Sequence, residues 1–277
     1  MKIFDVPEAQ YYCGRFHRAG GGATGSLTKY VTATFKPGRY LRENTPDFDN
    51  YRDCALREAE RFLFLGISNY RRGLDLMMPG AANWAHVTLY YSSYFAARAL
   101  MGMFGGWIGT KLVVEVTTSQ PGGQELVVTR PQTNYNPPHE KFWDLFYGAV
   151  ESLVPWVDGK LRFAIDPIGG NVTWQTQNRN EINYDSFAAC QLASLFQATF
   201  KPTRFPASLP GVLSTQFSVA EGLLLIVCRF VRQFGLATDA LDALLPAGAR
   251  SGKINRLVFR DRPARVVQMT RARSFLV

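Results

Sequence analysis

AANWAHVTLYYSSYFAARALMGMF, residues 81–104, contains no proline and a single glycine, at Gly102. Trp84, Val87, Tyr91, Phe95 and Arg98 recur in it at steps of three and four, which places them on one face of a helix. By the same spacing Tyr90, Tyr91, Tyr94 and Phe95 are expected in a core. Ser92, Ser93, Ala96 and Ala97 are small enough to let a second helix approach closely. Gly105-Gly106 is a natural stop.

The segment before it supplies that second helix. Residues 51–78 keep the 3.6-residue period through Leu56, Ala59, Phe62, Ile67, Tyr70 and Leu74, and Pro79-Gly80 ends it. Residues 1–50 are less regular. They hold a glycine-rich loop at 18–26 without the Gly-Lys-Ser/Thr ending of a phosphate-binding P-loop, and "KYVTATF" at 29–35 reads as a short strand. After residue 104 the apolar period switches to two. "KLVVEVTTS" and "QELVVTR" flank a Pro-Gly-Gly turn and predict a β-hairpin over 111–130. Helical patterning returns over 139–154. An irregular stretch, 155–176, leads to the polar run QNRNEINYDS, 177–186, which opens a helix at about 184–200. A further apolar helix is expected over 218–235, followed by a shorter one.

The expected fold is therefore mainly α, a helical bundle with an inserted β-hairpin and a basic C-terminal extension. Its parts are an irregular N-terminal segment (1–50), the bundle (51–204), additional packing helices (205–249) and a basic tail (250–277). With 47% hydrophobic and 19% charged residues the chain reads as a soluble globular protein. The apolar run from Val219 to Val231 is interrupted by Glu221 and Arg229 and is too short to predict a membrane span. No signal peptide is visible, and a cytoplasmic location is expected. Cys13, Cys54, Cys190 and Cys228 are scattered, as are His17, His86 and His139, so reduced thiols and no metal site or cofactor are expected.

Net charge is +9, and most of it sits at one end. Arg250, Lys253, Arg256, Arg260, Arg262, Arg265, Arg271 and Arg273 stand against Asp261 alone. Such a tail suits a polyanion, RNA first among the candidates, or an acidic protein partner.

Two motifs carry a resemblance. "YYSSYFAARAL" (90–100) and, about 80 residues later, "RNEINYD" (179–185) resemble the paired elements of HEPN-domain proteins, with a His, His139, opening the helix between them. The resemblance spans roughly residues 55–200. It implies an HEPN-like bundle of four or five helices, often dimeric. It further implies a metal-independent endoribonuclease of bacterial toxin–antitoxin or anti-phage systems, or a catalytically silent relative that binds RNA, nucleotide or protein in a larger complex. Carried over by position, Arg179 matches the motif arginine, Asn180 the polar residue after it, and Tyr184 the place where the catalytic histidine stands. Tyr184 departs from the pattern.

The chemistry asks for positive charge on a phosphorane-like transition state and for groups that move protons. Arg179 suits the first, since its planar fork binds two phosphate oxygens at once. Asn180 can orient a phosphate or ribose. Tyr184, a phenol that titrates near pH 10, can donate but is a poor base at neutrality, which leaves His139 or His86 as the proton carrier. Ordinary structural roles fit the same residues: Asn183 or Asp185 as a helix cap, Arg179 paired with Glu181 or Glu140, Tyr184 in the core.

The tail makes one prediction directly. If the chain binds RNA, deleting residues 250–277 lowers the affinity and flattens its dependence on salt, because fewer counterions are released. Filter binding at several salt concentrations measures both; unchanged binding assigns the tail to a protein partner or to solubility.

Overall fold

The structure, a computed structural model, describes residues 1–16, 26–118, 120–131 and 138–236. Its frame is an antiparallel pair of long helices, α3 (Pro46–Met77) and α4 (Ala82–Met103). Thr45 caps α3, its hydroxyl accepting from Phe48 N, and Pro46, Asp47 and Asp49 occupy the first turn, where a fixed φ and negative charge favour a start. A short turn with Gly80 at φ +83° reverses the chain into α4.

These two helices touch through small residues. A Cβ on Gly66 would lie 3.4 Å from Ala96 N and Ser92 O; one on Gly73 would lie 2.9 Å from the Leu89 side chain; one on Gly102 would meet Ala55 O at 3.1 Å. Ser92 Oγ donates to Gly66 O at 2.8 Å, crossing from one helix to the other. The buried side of α4 is accordingly Ala85, Leu89, Ser92, Ala96 and Ala99. This corrects the face expected to be most buried: Trp84 is exposed, and Tyr91, Tyr94, Phe95 and Arg98 are only partly buried. Tyr90, expected in the core, is fully buried there, and Val87 is buried too; of the expected face it is Trp84, Tyr91, Phe95 and Arg98 that lie toward the rim.

The remaining elements wrap this pair. Helix α8 (Gly211–Gln233) packs on α4 and α3 with Phe217, Leu223, Leu224 and Ile226 buried. It is longer than the sequence predicts, and it is the one helix among the described residues long and apolar enough to cross a membrane by length and composition; most of its apolar window is buried in the fold. Helix α5 (Pro138–Val150) continues as a 3₁₀ turn, Glu151–Trp156, at Pro155. Helices α6 (Trp174–Tyr184) and α7 (Ser186–Thr199) follow.

The expected hairpin is present as β3 (Val113–Thr118) and β4 (Glu125–Thr129), paired antiparallel with Val114 opposite Val128. It is part of a larger sheet. Strands β1 (Tyr40–Arg42) and β2 (Trp107–Ile108) add to its edges in the order β1-β4-β3-β2. Neither could be read beforehand, since strands of three and two residues are too short to show a period.

The described residues among the first fifty are also more ordered than expected. Helix α1 (Val6–Gly14) starts at a capping box between Asp5 and Glu8, and Phe4, Val6, Ala9 and Tyr12 are core residues. "KYVTATF" is not a strand. It lies in α2 (Leu27–Thr34), where Leu27 and Val31, four apart, are buried and Leu27 N is held by Glu58 Oε2 at 2.8 Å. A carboxylate on α3 thus supplies the cap that α2 lacks locally, and tertiary contact overrides the β preference of Val and Thr.

The α3–α4 seam predicts an outcome. Gly102→Val places side-chain atoms against the Ala55 carbonyl, which cannot move without bending α3, and should cost about 1–3 kcal/mol. Urea denaturation checks it; unchanged stability would mean that the helices do not approach this closely.

Candidate functional site

Helix α6 carries the polar run, and its placement corrects the sequence reading. The run does not open the helix at 184–200. It ends a separate helix, and Asp185 begins the next by accepting Phe187 N at 2.8 Å, the capping role expected of it. Arg179 is the sixth of eleven residues in α6, so it does not stand at the N-terminus of its own helix.

The inward side of α6 consists of Trp174, Gln175, Thr176, Arg179 and Ile182. Gln175 belongs to a buried relay joining four helices. It donates to Tyr147 Oη at 3.0 Å on α5, while Gln216 of α8 donates to Ser93 Oγ at 2.9 Å on α4 and to Gln175 Oε1 at 3.3 Å. Arg179 is 8% exposed and its guanidinium lies over the Tyr90 ring, 5.2 Å from the centroid. Among the described residues no salt bridge involves it, and its Nε is buried without a hydrogen-bond partner. The expected pairing with Glu181 or Glu140 is therefore absent there; a cation–π contact takes its place.

Tyr90 links Arg179 to His139. Trp143 Nε1 donates to the Tyr90 hydroxyl at 3.4 Å, and that hydroxyl lies 2.8 Å from His139 Nδ1. Indole has only an N–H to give, so the Tyr90 oxygen accepts it, and the same hydroxyl shares a hydrogen bond with His139 Nδ1. Burial pushes His139 down to about 4, and the charges of Arg179 and Arg98 push the same way. Burial also raises Tyr90 above the ordinary phenol range. His139 packs against Tyr94, ring centroids 4.7 Å apart, and Tyr94 Oη accepts from Arg98 Nη1 at 2.9 Å.

The structure thus brings together Arg179 and His139, two of the four residues expected at a catalytic site. It separates Tyr184, which lies five residues beyond Arg179, about 140° further round the helix, and is 75% exposed. Tyr184 is neither a core residue nor a neighbour of Arg179 on its own helix face. Asn180 is half-buried beside that face. The basic residues from Arg250 to Arg273 lie outside the described residues. Tyr90 and Trp143 were missed as parts of the cluster. Their signal was legible in part: Trp143 stands four residues after His139, on the same face of α5.

Two other features bear on function. Helix α7 has no charged residue from Ser186 to Thr199, yet only Ala188, Leu192 and Phe196 are buried. Phe187 (74% exposed), Leu195, Tyr184 and Val212 leave a large apolar surface there, with a shallow groove between α6, α7 and the start of α8. Among the described residues no group of three or more His, Cys, Asp and Glu side chains could hold a metal ion.

No protein-family model matches the sequence, and no curated protein or solved structure matches it.

His86 yields a test of the interior. It is fully buried on α4 with neither ring nitrogen hydrogen-bonded, and burial lowers it from 6.5 to about 4. The unfolded chain takes up a proton near pH 6.5 that the folded chain refuses until about pH 4. The stability it contributes is therefore complete above pH 6.5 and is lost as pH falls through that window, by on the order of 3 kcal/mol at most. Glu221, raised by burial to about 7, works in the opposite sense: its contribution is complete below about pH 4.5 and is lost as pH rises through 7. Denaturation curves from pH 4 to 7.5 should show His86→Phe losing less stability on acidification than the parent chain. Glu221→Gln should lose less as pH rises. Parallel profiles would contradict both assignments.

Proposed function

We propose that this protein is an HEPN-like helical module that handles RNA, and that of the two forms the resemblance implies it is the binding subunit, catalytically silent on its own. The observation carrying this reading is the enclosure of Arg179. A phosphate-clamping guanidinium must meet its substrate, and this one is over nine-tenths buried on the Tyr90 ring. The proton-transfer side is equally committed: His139 Nδ1 is engaged with the Tyr90 hydroxyl, and its low pKa makes it a weak base. Tyr184, at the position of the family's histidine, faces solvent elsewhere on α6.

The metal-independent endoribonuclease of a toxin–antitoxin or anti-phage system is the second reading. It is favoured by the meeting of Arg179 and His139 at one tyrosine, an association that chance spacing in sequence does not require. Cleavage then needs α6 to release Arg179 from Tyr90, and a second protomer to complete the site.

Self-association follows from the uncharged surface of α7. Helix α7 offers a face where two copies meet without like-charge cost. Helix α4 is largely enclosed by its neighbours, so the contact falls to α6 and α7. Phe187→Asp should convert a dimer to a monomer in light scattering while leaving the circular dichroism spectrum unchanged, since this side chain is exposed. A parent chain that is monomeric at micromolar concentration removes the interface.

The assay that separates the two readings mixes purified protein with total RNA in EDTA, comparing the parent chain with Arg179→Ala and His139→Ala. The silent subunit shifts RNA in gels and cleaves none. Cleavage lost in both variants establishes the nuclease instead, and neither binding nor cleavage overturns both forms.

A further inference from the structure

The uncharged helix α7 is bracketed by charges of opposite sign. At its N-terminal end stand Glu181, on the last turns of α6, and Asp185, the residue that caps α7. At its C-terminal end stand Lys201 and Arg204, just beyond Thr199. All four side chains are exposed, and among the described residues none of them has an ion pair. The rise of a 14-residue helix sets the two ends about 21 Å apart.

Between the ends the surface is apolar and concave. The groove that Glu181, Ile182, Leu192 and Val212 line meets a second, lined by Thr199, Lys201, Arg204 and Leu209, at Leu195, Pro210 and Gly211. No basic residue lines the first and no acidic residue the second. One trough therefore runs along α7 and the start of α8, acidic at one end, basic at the other, with Phe187 and Leu195 exposed beside it.

This pattern is complementary to itself. A two-fold axis across the middle of α7 turns a second copy end for end. Glu181 and Asp185 of each copy then face Lys201 and Arg204 of the other, and the apolar middles close on one another. A parallel pairing would set like charge against like at both ends. A polyanion or an anionic lipid surface, having one sign of charge, would meet repulsion at Glu181 and Asp185.

We propose that the trough along α7 is a homotypic interface that takes a second copy of this chain in antiparallel orientation, its ends selected by charge. The proposal rests on the self-association through α7, adds its orientation, and does not depend on RNA.

The test uses sedimentation velocity on the full chain and two variants, Glu181→Lys/Asp185→Asn, which keeps a capping side chain at 185, and Lys201→Glu/Arg204→Glu. All four substitutions replace exposed side chains, and circular dichroism checks the fold. The expected result is a parent dimer that weakens as salt rises, and self-association roughly tenfold or more weaker in each variant alone. An equimolar mixture of the two variants should associate more tightly than either alone, since each then meets its opposite at both ends. Variants that dimerise like the parent, or a mixture no tighter than its components, overturn the antiparallel pairing and leave self-association standing. A parent chain that is monomeric at micromolar concentration overturns both, and sedimentation of that monomer with phosphatidylserine vesicles would give the face to a lipid surface instead.

Discussion

The close approach of α3 and α4 is the constraint on which the rest of the structure depends. Backbone meets backbone because Gly66, Gly73 and Gly102 face Ala, Ser and Leu across the seam, and a single Cβ at Gly102 would already press on the Ala55 carbonyl. With the small residues turned toward the partner helix, the aromatic residues of α4 must lie to the sides. Tyr90 turns toward α5 and α6, Phe95 toward Phe62, and Tyr94 toward Phe142. The position of the Tyr90 cluster follows from that sorting.

The Tyr90 cluster illustrates how a buried cation is accommodated without a carboxylate. Arg179 has an aromatic face in place of a counter-ion, and the tyrosine is itself fixed by Trp143 and His139. A cation–π contact contributes about 2 kcal/mol when desolvated, well short of the several kcal/mol that desolvating an ion costs. The arrangement therefore stands under tension: it holds while α6 is packed, and an anion reaching Arg179 would compete with the ring.

Polar side chains inside the bundle serve order as well. The relay from Tyr147 through Gln175 and Gln216 to Ser93 fixes α5, α6, α8 and α4 in one register, because shifting any helix breaks a buried hydrogen bond. Helix α7 takes no part in it. Its uncharged surface fits a role outside the protomer rather than within it.

Sequence by itself determined the helical frame and the hairpin. Long runs with a 3.6-residue period and a clear switch to a period of two leave few alternatives, and glycine at 80 and 105 ends helices through left-handed backbone that other residues resist. It also marked Arg179 and His139 as residues of interest through their resemblance to a known pattern. Tertiary structure alone decided the remainder. "KYVTATF" became helical because Glu58, 31 residues beyond Leu27, caps it; β1 and β2 exist only as additions to a sheet edge; and the most buried side of α4 is its small one. The union of Arg179 with His139 turns on Tyr90, which is remote from both in sequence. Such contacts depend on how helices far apart in the chain pack, and periodicity, a property of neighbours along the chain, carries no record of them.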